Sequence, residues 1–218
     1  MRNEKRWLYR ALLLLGLFLL WTVLVQTVDV RRAGETGTEI GFAAMNSWFF
    51  RLTGVHMVLY TVTDWLGLVP VLVCLLFGIL GLLQLIQRGH LRKVDPDIIL
   101  LGIYYVLVIG CYLAFEMLPV NYRPVWIEGR LEASYPSSTT LLVLSVMPTL
   151  LFQAECRVRN AGVNRLVRIL TILFSGFVVM GRLISGVHWL SDIVGSVLLS
   201  SGMFFLYKAA VLRIGNQE

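Results

Sequence analysis

Apolar positions in this chain fall in long unbroken runs, not at the three-to-four spacing of a half-buried helix. The runs cover about 11–28, 66–87, 97–118, 137–154, 165–181 and 188–212. A helix needs roughly 20 predominantly apolar residues, about 17–25, to cross a bilayer, so the pattern predicts six spans. The stretch 38–55, beginning "TEIGFAAMNSWFF", is apolar but too short and too polar to cross. It predicts a helix lying along one membrane face. The first run follows "MRNEKRWLYR", a basic start that a cleaved signal peptide would share. Its length, and the lack of a small-x-small site in "LVQTVDV", favour a retained helix. No Ser/Pro/Gly-rich linker interrupts the chain. The predicted fold is therefore all-α: residues 1–218 as one integral membrane domain, a six-transmembrane-helix bundle with a short interfacial helix between helices 1 and 2.

Composition agrees with the pattern. Of 218 residues, 57% are hydrophobic and 15% charged, and the mean hydropathy is +0.76. Soluble domains run nearer a quarter charged. The net charge of +6 would in a soluble protein suggest nucleic acid, but no basic stripe with interleaved aromatics occurs, and no nucleic-acid partner is expected. The basic residues lie between the apolar runs, where they set orientation. With the N-terminus in the cytoplasm, that side holds thirteen Lys and Arg residues, from Arg2 to Arg213. The other side holds six: Arg31, Arg32, Arg51, Arg123, Arg130 and Arg182. Both termini are thus expected in the cytoplasm, with the plasma membrane as the expected location. Cys74, Cys111 and Cys156 form no CxxC or Cys/His cluster; they are expected to be buried thiols, with neither disulfide nor zinc site.

Polar residues inside or beside the apolar runs carry the candidate chemistry, because ionisable groups there are costly to bury. "GRLISGVHWLSDIVG", 181–195, contains Arg182, His188 and Asp192. On a helix, His188 and Asp192 would share a face one turn apart. The carboxylate could then accept from one ring nitrogen and free the other as a base or nucleophile. Ser185 and Gly186 are expected to break the preceding helix, letting Arg182 lean toward the histidine. A structural alternative has Arg182 reaching head groups while His188 and Asp192 merely pair. A second patch, "YPSSTT" at 135–140, reads as a helix start, with Pro136 in the first turn and Ser137, Ser138 and Thr139 around unpaired N–H groups. Such a start can bind an anion or can be ordinary capping. "NYRPVW", 121–126, adds Arg123. The predicted topology brings all three patches to one, non-cytoplasmic side.

In chain order the patches read E-x6-R-P from Glu116, P-S-S-T from Pro136 and R-x5-H-x3-D from Arg182. This resembles the type 2 phosphatidic acid phosphatase superfamily, whose motifs are K-x6-R-P, P-S-G-H and S-R-x5-H-x3-D. The resemblance implies a lipid phosphatase or phosphotransferase that needs no cofactor and no metal. In it His188 would attack phosphorus and form a phosphohistidine, and Asp192 would orient it. Arg123 and Arg182 would clamp phosphate oxygens, helped by Ser137 and the amide of Ser138.

Three positions depart from the motifs. Glu116 stands in place of lysine, Thr139 in place of a second histidine, and Gly181 in place of serine. In the family the second histidine protonates the leaving group, which threonine cannot do at neutral pH. Of the other two histidines, His90 is expected in the cytoplasm, so His56 alone could substitute. Loss of a general acid hurts monoester cleavage, which expels an alkoxide, more than diphosphate cleavage, which expels a stable phosphate anion. An active enzyme is therefore expected to prefer a lipid diphosphate, such as a polyprenyl diphosphate. The departures also support an alternative: a catalytically impaired member that binds or moves a phospholipid without hydrolysis. A small-solute transporter finds little support, since no internal repeat or broken-helix pair is evident.

Overall fold

The computed structural model describes residues 2–215. Helix α1 (Arg2–Thr27) leads into a two-stranded antiparallel hairpin, β1 (Arg31–Ala33) and β2 (Thr38–Ile40), with Arg31 opposite Ile40. A short helix α2 (Ala43–Thr53) follows, then α3 (Met57–Leu66) and α4 (Leu68–Arg88), joined at Gly67. Helices α5 (Pro96–Met117), α6 (Ser138–Arg157), α7 (Ala161–Ile184) and α8 (Leu190–Gly215) complete the chain. Among the described residues, six helical segments are long and apolar enough to cross a membrane, with α3 and α4 together forming the second, Met57–Arg88. The six-span helical expectation is borne out.

Two boundaries differ from expectation. The second span begins at Met57 rather than near 66, because the polar "TVTD" at 61–64 is carried inside a helix. The helix expected over 38–55 starts only at Ala43, and Thr38–Ile40 is a strand. Gly34 and Gly37, at φ 74° and 65°, turn the hairpin between them.

The bundle is apolar outside and hydroxylated inside. Val58, Leu72 and Val106 point outward, exposed. Thr140, Ser145, Thr149, Ser196 and Ser200 are buried between helices. Small and hydroxyl residues let membrane helices approach closely and bond to each other, at about 0.6–2 kcal/mol per bond. Tyr104 Oη donates to Ser145 O at 2.9 Å, and Tyr105 Oη meets Thr149 Oγ1 at 2.7 Å. These bonds fasten α5 to α6, which lies at the centre of the bundle. The first helix packs along the last: Trp21 Nε1 donates to Ser191 O at 3.0 Å, and the Gly202 backbone leaves room for Leu15.

One end of the bundle is held by ion pairs, Arg88 with Asp95 at 2.7 Å and Arg157 with Asp97 at 2.8 Å. The Arg88 hydrogen bond holds the Asp95 carboxyl below its ordinary pKa. At the opposite end meet the 118–137 loop and the 185–189 connection.

Candidate active site

The 118–137 loop folds back on itself. Ile127 and Arg130 bracket Glu128 and Gly129, both at positive φ (48° and 74°), a pair suited to a tight two-residue turn. The returning strand sets Arg123 N on Glu132 O at 3.1 Å and Ser134 N on Asn121 O at 2.9 Å. That register places the Arg123 guanidinium against the Glu132 carboxylate, Nη2 to Oε2 at 3.1 Å. The hairpin roofs this loop: Glu35 N donates to Pro124 O at 2.7 Å, and Thr36 Oγ1 to Arg123 O at 2.9 Å.

His188 lies ahead of α8, not on it as expected, in the connection that begins at Ser185. Asp192 sits in the first turn, where its Oδ2 accepts from the backbone N–H of Trp189 at 2.9 Å. An acid three residues into a helix commonly reaches back this way. The carboxylate is therefore turned from the imidazole, and His188 Nδ1 to Asp192 Oδ2 is 3.9 Å. The expected direct hydrogen bond is replaced by a bridge through Ser134. Its Oγ donates to Asp192 Oδ2 at 2.5 Å, while both its Oγ and its carbonyl oxygen lie 3.1 Å from His188 Nδ1. Asn121 Nδ2 completes the carboxylate, at 3.2 Å from Oδ1.

Hydrogen-bond bookkeeping then assigns the ring. The Ser134 hydroxyl proton is committed to Asp192, so Nδ1 is the nitrogen that donates and Nε2 keeps its lone pair. Nε2 lies 3.4 Å from Arg182 Nη2. Burial, with Arg123 and Arg182 nearby, holds the His188 pKa well below its ordinary value. The imidazole is thus neutral and its free lone pair faces a guanidinium.

Arg123 and Arg182 are both buried and flank the Tyr60 ring, with their Cζ atoms 5.6 and 4.8 Å from its centroid. A desolvated contact of this kind contributes up to about 2 kcal/mol. Arg182 Nη1 also meets Asp64 Oδ1 at 3.3 Å. Arg123 Nε and Nη1 and Arg182 Nε are buried without a hydrogen-bond partner among the described residues. Unpaired buried donors are costly, by about 1–3 kcal/mol or more for charged groups. Three such donors, on two guanidiniums that share the Tyr60 ring, suit the oxygens of a tetrahedral anion.

The remaining candidate residues fall nearby or aside. The Ser137 hydroxyl donates to Thr140 Oγ1 at 3.0 Å, and Ser196 Oγ donates to the Ser137 carbonyl oxygen at 3.0 Å. The Ser137 side chain therefore fastens helices together. Ser138 opens α6, ahead of the first intrahelical bond from Leu141 N to Ser137 O. Thr139 is buried, and a methyl built on Gly67 would come within 3.2 Å of its Cγ2. Glu116 is exposed and lines a cleft with Tyr112 and Ser138, while Glu132 is the acid on Arg123. His56 is exposed and its Nε2 meets Thr53 O at 2.8 Å. The thiols are less enclosed than expected: Cys74 and Cys111 are half-buried, and Cys156, at the end of α6, is exposed.

Sequence reasoning missed Ser134, Asn121, Glu132, Tyr60 and Asp64. Asp64 had a signal, an acid in the apolar stretch "TVTDWLGLV". Ser134 had none, because its place follows from the register of an irregular loop.

The fold and the geometry define a six-span helical membrane protein with two buried arginines beside a neutral imidazole. Residues 111–215 match the model of the PAP2 superfamily. Its fold is similar to the crystal structure of a transmembrane PAP2 type phosphatidylglycerolphosphate phosphatase from Bacillus subtilis. The TM-score is 0.68 at 16% identity, covering 94% of this chain and 98% of that one. No curated protein matches the chain in sequence.

Proposed function

We propose that this protein is a membrane lipid phosphatase in which His188 Nε2 attacks phosphorus. The carrying observation is the set of unpartnered donors, Arg123 Nε and Nη1 and Arg182 Nε, beside the lone pair of Nε2. The match of residues 111–215 to the PAP2 superfamily model supports phosphatase chemistry in general. The guanidiniums hold the phosphate oxygens as charge shifts in the transition state, with the first amides of α6, that of Ser138 included, beside them. Ser134 and Asp192 fix the ring and offset the charge it gains on becoming a phosphohistidine. The excess of basic residues in the other connections supports a site on the non-cytoplasmic face.

With Thr139 in place of a histidine, the substrate best suited is a lipid diphosphate. General acid catalysis supplies ~10²–10⁴-fold, and a leaving phosphate needs it less than a leaving alkoxide does. Purified protein given a polyprenyl diphosphate and a phosphatidate should release phosphate faster from the diphosphate. His188→Ala should abolish release from both, and Thr139→His should raise the phosphatidate rate. Equal or faster release from phosphatidate rules out the preference, and release that survives His188→Ala rules out the mechanism. Thr139 and Glu116 also favour a second reading, binding or movement of a phospholipid without hydrolysis; bound lipid with no release in the same assay supports it.

A further inference from the structure

Each guanidinium of the site carries one carboxylate, and the two carboxylates differ in origin. Glu132 comes from the loop that also holds Arg123. Asp64 comes from α3, outside the residues that match the superfamily model. Its Oδ1 is 3.3 Å from Arg182 Nη1, while Nη2 of the same guanidinium is 3.4 Å from His188 Nε2. One planar cation therefore touches both the imidazole and Asp64. Arg182 is buried, whereas the Asp64 side chain is 55% exposed and can exchange protons with bulk water. Tyr60, one turn earlier on α3, lies against both guanidiniums. Gly67, three residues later, packs on Thr139. The threonine that cannot donate a proton thus packs at Gly67, three residues beyond an aspartate that can.

We propose that Asp64 is the proton donor to the leaving oxygen and the proton acceptor from the attacking water. The proposal rests on the phosphatase reading above and not on the diphosphate preference, which a working acid would weaken. A phosphoryl group held by Arg182 Nε and the two free Arg123 donors would rest on the same guanidinium that touches His188 and Asp64. In the first step the Nε2 lone pair forms the P–N bond. The P–O bond to the lipid breaks with its electrons, and the Asp64 carboxyl proton passes to that oxygen. In the second step a water oxygen bonds to phosphorus and gives its proton to the Asp64 carboxylate. The P–N bond then breaks, its electrons return to Nε2, and phosphate leaves. Asp64 ends protonated, as it began.

The other acids serve worse. Glu132 lies on Arg123, which is not the guanidinium that touches the imidazole. Glu116 is exposed in its own cleft beside Tyr112.

The test compares leaving groups on the purified full-length protein. Dodecyl phosphate expels an alkoxide that must be protonated; p-nitrophenyl phosphate expels a stable phenolate. Asp64→Asn, which keeps an oxygen for Arg182, should lower kcat/KM, which reports only the steps through departure of the leaving group, on the alkyl ester by ~10²–10⁴-fold. It should lower kcat/KM on the aryl ester by less than about tenfold, and Asp64→Glu should restore part of the alkyl value. Asp64→Ser should give the same split, and it serves if the asparagine variant does not fold. A loss of equal size on both esters, or none on either, overturns the role of Asp64 while leaving His188 in place. Absence of any wild-type release sensitive to His188→Ala removes the phosphatase reading and the donor with it.

Discussion

His188 is neutral for reasons that can be read one contact at a time. Burial removes water from the ring, and Arg123 and Arg182 add positive charge beside it, so a second proton is disfavoured. The sign follows for stability as well. An unfolded chain protonates this ring as pH falls through about 6.5, while the folded protein does not. The stability tied to His188 is therefore present above that pH and is lost as the solution becomes more acidic. Nitrogen NMR of the ring in detergent should show the neutral Nδ1–H form at pH 6.5, where a free imidazole is half protonated; a half-charged ring contradicts the assignment. At this scale Arg123, Arg182, His188 and Asp192 were legible in the chain, because burying such groups is costly enough to stand out against apolar neighbours. The bond between the last two was not. Asp192 has a nearer demand to meet, the free N–H of Trp189 at the start of α8, and it reaches the imidazole only through Ser134.

Among elements, the spans were legible because their length is set by the bilayer, and the connections were not because nothing periodic marks them. The hairpin β1–β2 carries two arginines and a glutamate in six paired residues, a pattern with no apolar alternation to announce a strand. Its role comes from where it lies, over the backbone of Arg123 and Pro124. The 185–189 connection is equally exacting. Gly186 has φ 72°, and a methyl there would come within 2.0 Å of Gly54 O. His56 N also donates to Ser185 O at 2.9 Å, so the loop that aims His188 rests on the start of α3. Left-handed backbone alone costs an alanine about 1–2 kcal/mol, and the clash adds to it. Gly186→Ala should lower the melting temperature in detergent and cut phosphate release by tenfold or more. Wild-type values for both would show that the contact between the loops is slack.

The whole molecule is organised by its two ends, one fastened by ion pairs at Asp95 and Asp97, the other holding the anion site. Their assignment to membrane faces rests on basic residues and can be read from a native thiol. Cys156 is exposed on the ion-paired side. A membrane-impermeant maleimide should label it in inverted vesicles and not in intact cells, with Cys156→Ser as the control; labelling of intact cells reverses the orientation. The packing of α1 along α8, with Trp21 bonded to the residue before Asp192, has a consequence for synthesis. The chain is made from its amino end, so the opening helix must wait in the bilayer, its inner flank covered by lipid, until the closing helix arrives. A nascent polypeptide halted before α8 lacks Asp192, so the buried cluster around His188 is assembled only once α8 has been made.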